Sequence, residues 1–350
     1  MRAAEALAAA LAEGVRADGV SWRVARAWPA AFDDPTAGHV LELVAEDGDV
    51  RGALLRDGVV STGPDAALPA LAGLVAEGWT VLAHRFGKRA VLRRDGMGVF
   101  RKLATPKATR RAVERADEVD RALGALPVPR PPARVGADIA AGTIDLAPAP
   151  GLALRSVLTD PATTVTDARS IGRRIGELLG RLTMVAPGGG LPEHSATDEA
   201  EVLARWVTAA CESAPLTPDV AARLRAEADA VIGELLRCER APTLAHRDLH
   251  DGQILVAPGD LTVLDWDTAA WADPCLDVGN LLAHLDLLVQ RVPVATDRVA
   301  ALTAGLLEVL GTHDHPAATD PAGLALWRRS SAVRIRAVHA FRPATVGDPG

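Results

Sequence analysis

Residues 246–255 read His-Arg-Asp-Leu-His-Asp-Gly-Gln-Ile-Leu, and residues 264–267 read Leu-Asp-Trp-Asp. Asp248 sits on a short loop after the apolar stretch Pro242-Thr243-Leu244-Ala245. Gln253 stands just before the strand-like Ile254-Leu255-Val256. The turn Pro258-Gly259-Asp260 leads into a second strand, Leu261 to Leu264, which Asp265 ends. The loop and Asp265 are therefore predicted at the same end of a small hairpin. A carboxylate there can take a proton from a hydroxyl, while a carboxamide and a second carboxylate can hold a divalent cation. Phosphoryl transfer from a nucleotide needs those parts, because it is mostly positioning and charge neutralisation.

These residues resemble the aminoglycoside phosphotransferase and choline kinase superfamily, which shares the protein-kinase fold. The resemblance implies that Asp248 is the catalytic base, that Gln253 and Asp265 are magnesium ligands, and that Asp267 is an additional ligand. It implies ATP or GTP with Mg2+ as cofactors. His246 would orient the loop through hydrogen bonds. Farther on, residues 272–282 (Ala-Asp-Pro-Cys-Leu-Asp-Val-Gly-Asn-Leu-Leu) look like the next element of the family, in which Asp277 would begin a helix and brace the loop. Two positions depart from the usual pattern: Arg247 stands where Gly is common, and Gln253 where Asn is common. Gln offers the same carboxamide oxygen on a chain one methylene longer, so its reach differs. The form Asp-Leu-His-x-Gly-Gln is similar to that of bacterial maltokinases and glucosamine kinases.

Of 38 Lys and Arg residues, only Lys88, Lys102 and Lys107 are Lys. Arg and Lys are not interchangeable, so a Lys in such a sequence marks a place where a compact ammonium matters. Lys102 lies in a strand-like segment, residues 99–104. Before it come strands near 79–83 and 89–93, with Asp95-Gly96 as a hairpin turn, giving a meander with a basic loop at 84–88. By resemblance Lys102 is the phosphate-binding lysine of a kinase amino lobe, and the loop takes the place of the glycine-rich phosphate cover. Lys88 is a second candidate for holding phosphate. The fold pairs that lysine with a Glu on the next helix. Residues 107–125 read as that helix, with Glu114 and Glu118 four apart on one face; Glu118 is preferred.

The fold class expected is α+β: a two-lobed, protein-kinase-like fold with a small β-rich amino lobe, a mainly helical carboxy lobe and an extra amino-terminal cap. The expected divisions are a cap over residues 1–75, the amino lobe over 76–148 and the carboxy lobe over 149–350. The cap has strand-like pieces at 21–27, 40–45 and 50–55, turns at 47–49 and 57–58, and a helix at 66–77. A Pro-rich crossing at 126–132 and a hinge strand at 143–148 follow, where an adenine would meet backbone. Helices are expected near 167–182, 198–213, 218–238, 277–290, 297–310 and 324–340.

Net charge −7 and a pI near 5.7 exclude a nucleic-acid footprint, which would be basic. Cys211, Cys238 and Cys275 are widely spaced and odd in number, so neither a metal motif nor a disulfide framework is expected, which suits a reducing cytosol. The Ala-rich start contains Glu5 and Glu13 and reads as an amphipathic helix rather than a signal peptide. No uninterrupted apolar run is long enough to predict a membrane span. His250 reads as structural, Asp251 as solvated, and Trp266 and Trp271 as packing. Arg328, Arg329, Arg334, Arg336 and Arg342 read as the solvated face of a basic helix, with contact to an anionic substrate as the alternative.

The expectation is an ATP-dependent kinase acting on a hydroxyl of a small molecule: a sugar, amino sugar or aminoglycoside. The second class is a non-catalytic relative that binds nucleotide or a partner, motivated by Gln253 and the Gly-poor loop. No Asp-Phe-Gly segment is present, which argues against a protein substrate.

Overall fold

The structure is a computed structural model that describes residues 3–94, 96, 98–124 and 126–343; Asp95 of the expected hairpin turn lies outside the described residues. The helix α1 (Ala3–Glu13) buries Ala6, Leu7 and Ala10 on one stripe. An antiparallel meander follows: β1 (Val15–Ala17), β2 (Val20–Pro29), β3 (His39–Val44), β4 (Val50–Arg56) and β5 (Val59–Ser61), paired in that order. Asp57 and Gly58 join the last pair with φ of 52° and 79°, the two left-handed residues that a tight hairpin turn requires.

The helix α2 (Leu71–Ala76), shorter than expected, leads to a second five-stranded sheet. Its strands are β6 (Thr80–Arg85), β7 (Arg89–Arg94), β8 (Val99–Ala104), β9 (Arg134–Asp138) and β10 (Thr143–Leu146), in the order β6-β7-β8-β10-β9. The expected three-stranded meander is therefore widened by two strands, and β9 was not foreseen. Between β8 and β9 runs α3 (Pro106–Leu123), started by the Thr105 cap and Pro106 in the first turn. Lys102 stands in the middle of the sheet, opposite Val91 on one side and Ile144 on the other.

The remainder is mainly helical: α4 (Leu154–Thr159), α5 (Val165–Leu182), α6 (Ala196–Ser213), α7 (Pro218–Leu235), α8 (Cys275–Arg291), α9 (Thr296–Thr312), α10 (Pro316–Thr319) and α11 (Pro321–His339). Among them lie short strands: β11 (Leu152–Ala153), β12 (Glu193–His194), β13 (Thr243–Ala245), β14 (Ile254–Ala257), β15 (Asp260–Val263) and β16 (Ala270–Ala272). No helix among the described residues is long and apolar enough to cross a membrane.

Packing divides the molecule unequally. Trp22, Val24, Leu41 and Leu43 of the first sheet belong to the same buried cluster as Leu203, Trp327 and Phe341 of the helical part. The seam is hydrogen bonded as well: Ala27 N donates to Phe341 O at 3.1 Å, and His39 Nε2 lies 3.0 Å from Ser213 O. The second sheet keeps a separate core of Leu68, Leu74, Trp79, Ala90, Leu92 and Leu103. Leu68 and Leu74 precede residue 76, so they serve the second sheet rather than the first.

Candidate active site

The loop after β13 is held from below by one carboxylate. Asp277, buried in the first turn of α8, accepts from His246 N at 2.7 Å and Arg247 N at 2.8 Å. His246 has a defined role in return. Its Nδ1 accepts from Asp248 N at 3.3 Å, so its Nε2 carries the proton and donates to Leu264 O at 2.7 Å. That bond ties the loop to the strand end just before Asp265. Arg247 has a left-handed φ of 70°, the conformation for which glycine is the natural choice.

Asn280 extends the support. Its amide donates to Leu249 O at 2.9 Å, and Arg334 of α11 donates to Asn280 Oδ1 at 2.8 Å. Asp251, expected to be solvated, is instead buried and receives Arg155 through Nε at 2.8 Å and Nη2 at 3.0 Å. Asp248 itself is half-buried, and no side chain among the described residues claims its carboxylate.

Gln253 O accepts from Leu264 N at 2.8 Å, placing Gln253 across the hairpin from the residue before Asp265. Asp265 takes φ 60°, ψ 58°, which turns the chain out of β15 toward the second sheet. There Lys102 Nζ meets Asp265 Oδ1 at 2.6 Å and Asp267 Oδ2 at 3.0 Å. Arg89 Nη1 stands 3.9 Å from Asp265 Oδ2. Burial opposes the charge on Asp265, but the Lys102 ammonium overrides it and holds the carboxyl at about 2. Asp267 moves the other way, pushed up by burial and by the Asp265 charge beside it. Burial also opposes the charge on Lys102, and the two carboxylates still raise its pKa.

Two carboxylates converging on one cation suit a hard divalent ion, which takes oxygen ligands and few of them from protein. The donor types at Asp265, Asp267 and Gln253 thus fit magnesium.

The two other expected phosphate-side residues differ from each other. Lys88 is exposed at the tip of the β6–β7 turn. Glu118 does not pair with Lys102. It accepts from Arg121 one turn along α3 and from the Gly190 amide, and the ion-pair partners of Lys102 among the described residues are Asp265 and Asp267. The helix turns Glu118 toward the Gly189–Gly190 segment, and the loop carboxylates reach the lysine first. Arg115, not a Glu, is the α3 residue whose charge Asp267 feels.

Sequence reading missed Arg155, Asn280 and Arg334. Asn280 carried a signal, a lone carboxamide within Leu-Asp-Val-Gly-Asn-Leu-Leu, where a buried polar group must find a partner. Trp266 and Trp271 pack as expected, with their indole N–H groups on Val263 O and Gly188 O, both at 3.1 Å. On the basic helix, Arg328 pairs with Asp286 and Arg336 with Glu227, while Arg334 points inward.

The profile of the phosphotransferase enzyme family matches residues 74–327, so the chain belongs to that family. Among solved structures, an aminoglycoside-3'-phosphotransferase of type VIII is similar over 75% of this chain and 97% of its own, at 18% identity and TM-score 0.53. A glucosamine kinase is similar over 95% of this chain and 93% of its own, at 21% identity and TM-score 0.50. The aminoglycoside phosphotransferase APH(3'')-Id from Streptomyces rimosus ATCC10970 follows at 16% identity, 76% and 96% coverage and TM-score 0.49. The likenesses to the type VIII phosphotransferase and the glucosamine kinase establish the kinase-like α+β fold. No curated protein matches the chain in sequence.

Proposed function

We propose that this member of the phosphotransferase enzyme family moves the γ-phosphate of ATP or GTP onto a hydroxyl of a small molecule. The carrying observation is the meeting of Lys102 with Asp265 and Asp267, 2.6 and 3.0 Å away, beside the loop that bears Asp248. Asp248 accepts the hydroxyl proton as the oxygen attacks. Its open carboxylate and its braced loop support that role. Lys102 holds the phosphates once nucleotide enters, exchanging one pair of anionic partners for another. Asp265, Asp267 and Gln253 hold magnesium, which when bound neutralises phosphate charge. Lys88, exposed on the turn between β6 and β7, reaches the phosphates; β6 runs through Arg85, so the expected 84–88 cover reduces to that turn.

The acceptor is a sugar, amino sugar or aminoglycoside. The glucosamine kinase likeness, which runs through the leading section as well, makes amino sugars the first class to try. The helix α1 and the first sheet serve as a cap, the second sheet with Leu68 and Leu74 in its core as the amino lobe and the helical remainder as the carboxy lobe, in a cytoplasmic enzyme. The test is nucleotide consumption over a panel of sugars, amino sugars and aminoglycosides, with and without magnesium. Turnover with one acceptor class, absent without magnesium, is expected. Magnesium-dependent nucleotide binding with no turnover across the panel would favour a non-catalytic binder.

A further inference from the structure

Where the first sheet, the second sheet and the end of α11 meet, three guanidinium groups surround one buried indole. Arg85, Arg342 and Arg26 lie 4.9, 5.4 and 5.6 Å from the ring centroid of Trp28. Arg26 is accounted for, since Glu42 takes it through two hydrogen bonds of 2.5 and 2.7 Å. Glu42 also accepts from His84 N at 3.0 Å, so its oxygens are committed. Arg85 and Arg342 are different. The Nε of each is buried without a hydrogen-bond partner, and neither guanidinium forms an ion pair with a described residue.

Cation–π attraction explains why an arginine lies on an indole. It does not explain gathering several like charges on the same indole, two of them with a buried Nε that bonds to nothing. Buried charges are ordinarily paired, and an N–H left alone there forfeits its hydrogen bond to solvent. Burial first, and then nearby guanidiniums (Arg89 and Arg26 for Arg85, Arg26 and Arg85 for Arg342), push both down to about 10, with Glu42 partly offsetting this at Arg342. Three guanidiniums against one carboxylate leave two positive charges uncompensated. Arginine forks match the oxygens of phosphate, and a phosphate dianion carries the matching charge.

We infer that Arg85 and Arg342, walled by Trp28, form a binding site for a phosphate group, separate from the site of Lys102 and Asp265. Arg342 also borders a cavity of about 750 Å³ between α1, α7, α8 and α11. Arg342 alone of the three arginines lines it, so a phosphomonoester held at Arg342 would turn its body into that cavity. The inference does not depend on which acceptor is phosphorylated. It uses residues of β2, of β6 and of the segment after α11.

Calorimetric titration of the full chain in phosphate-free buffer tests it, with inorganic phosphate and, separately, glycerol 3-phosphate as probes. The wild type should bind at least one of them saturably. Arg342→Met and Arg85→Met should each weaken that binding at least tenfold. Prior saturation with magnesium and a non-hydrolysable ATP analogue should leave it within twofold. Binding of both probes assigns the site to free phosphate, and binding of glycerol 3-phosphate alone assigns it to a phosphomonoester. Thermal melting supplies a second readout: the probe should raise the wild-type Tm and leave that of Arg342→Met unmoved. No saturable binding, undiminished binding in both variants, or displacement by the ATP analogue would overturn the inference. Displacement would place the phosphate in the nucleotide site.

Discussion

The strand that carries Lys102 and the hairpin that carries Asp265 are anchored in unlike ways. Behind the hairpin, Leu249, Ile254, Leu261, Val263 and Trp266 merge with the helices and the first sheet into one large buried cluster. Behind the lysine strand stand Leu68, Leu74, Trp79, Ala90, Leu92 and Leu103. One half of the site is thus fixed by a deep core and by the buried bonds of His246, Asp277 and Asn280. The other half rests on a thin sheet whose opening exposes much less apolar surface. Regions with few buried contacts open at lower free energy than the global core. The difference separates two duties: the deep half holds the reacting group still, and the shallow half can adjust around the phosphates.

That comparison can be broken or sharpened by experiment. Asp248→Ala, on the deep half, should lower kcat by roughly 10²–10⁴-fold, the usual worth of a general base, while nucleotide affinity changes less than about twofold. Equal loss of both would make that carboxylate structural. Lys102→Met, on the shallow half, should lower kcat/KM for nucleotide by roughly tenfold to a hundredfold, as expected for a lost charged contact, with a smaller fall in urea midpoint than Asp277→Ala, since Asp265 loses its partner. A large midpoint shift would contradict the idea that this residue serves ligand rather than fold. Asp277→Ala removes two buried bonds to a charged acceptor and should cost about 3 kcal/mol in urea unfolding, with turnover falling alongside. A loss under about 1 kcal/mol would mean that the loop is held by its other contacts.

Acid should act on the deep half too. Burial opposes the charge of Asp251, but the adjacent His250 ring and the Arg155 fork hold its carboxyl well below the usual range. A group whose folded value lies below its unfolded value stabilises the protein above the unfolded pKa and loses that contribution as the pH drops. The stability from this pair should be complete above about pH 4 and fall as the medium grows more acidic. Asp251→Asn should flatten that fall in urea midpoints taken across the range, and an unchanged slope would assign it to other carboxylates. The smallest effect expected is that of Glu118→Gln, under about twofold on nucleotide KM, because Glu118 faces Arg121 and Gly190 rather than Lys102.

The sequence was most readable where the chemistry is local. Gln253 and Leu264 bond across one hairpin, so spacing and turn residues sufficed to place the loop and Asp265 at the same end of it. Lys102 was legible by the scarcity of its residue type. Glu118 was misassigned because the face it presents depends on how α3 sits against residues 189–190, a contact far along the chain. Arg155 gave no local signal, since its partner Asp251 lies 96 positions away. The leading section reads as strands and turns in sequence, and it folds so. Its union with the core of the carboxy-terminal helices was not readable, because the pairing of Ala27 with Phe341 is written in neither segment alone.

That pairing constrains how the molecule can be made. The amide of Ala27 waits for the carbonyl of Phe341, and the part of the first sheet that α1 does not cover joins the core only when the helical part is made. During synthesis the earliest strands must therefore linger, half covered, while the rest of the polypeptide leaves the ribosome, a delay typical of contacts distant in sequence. Trimming the protein just before Phe341 should expose those strands and favour aggregation, although no residue of the catalytic loop would have been touched.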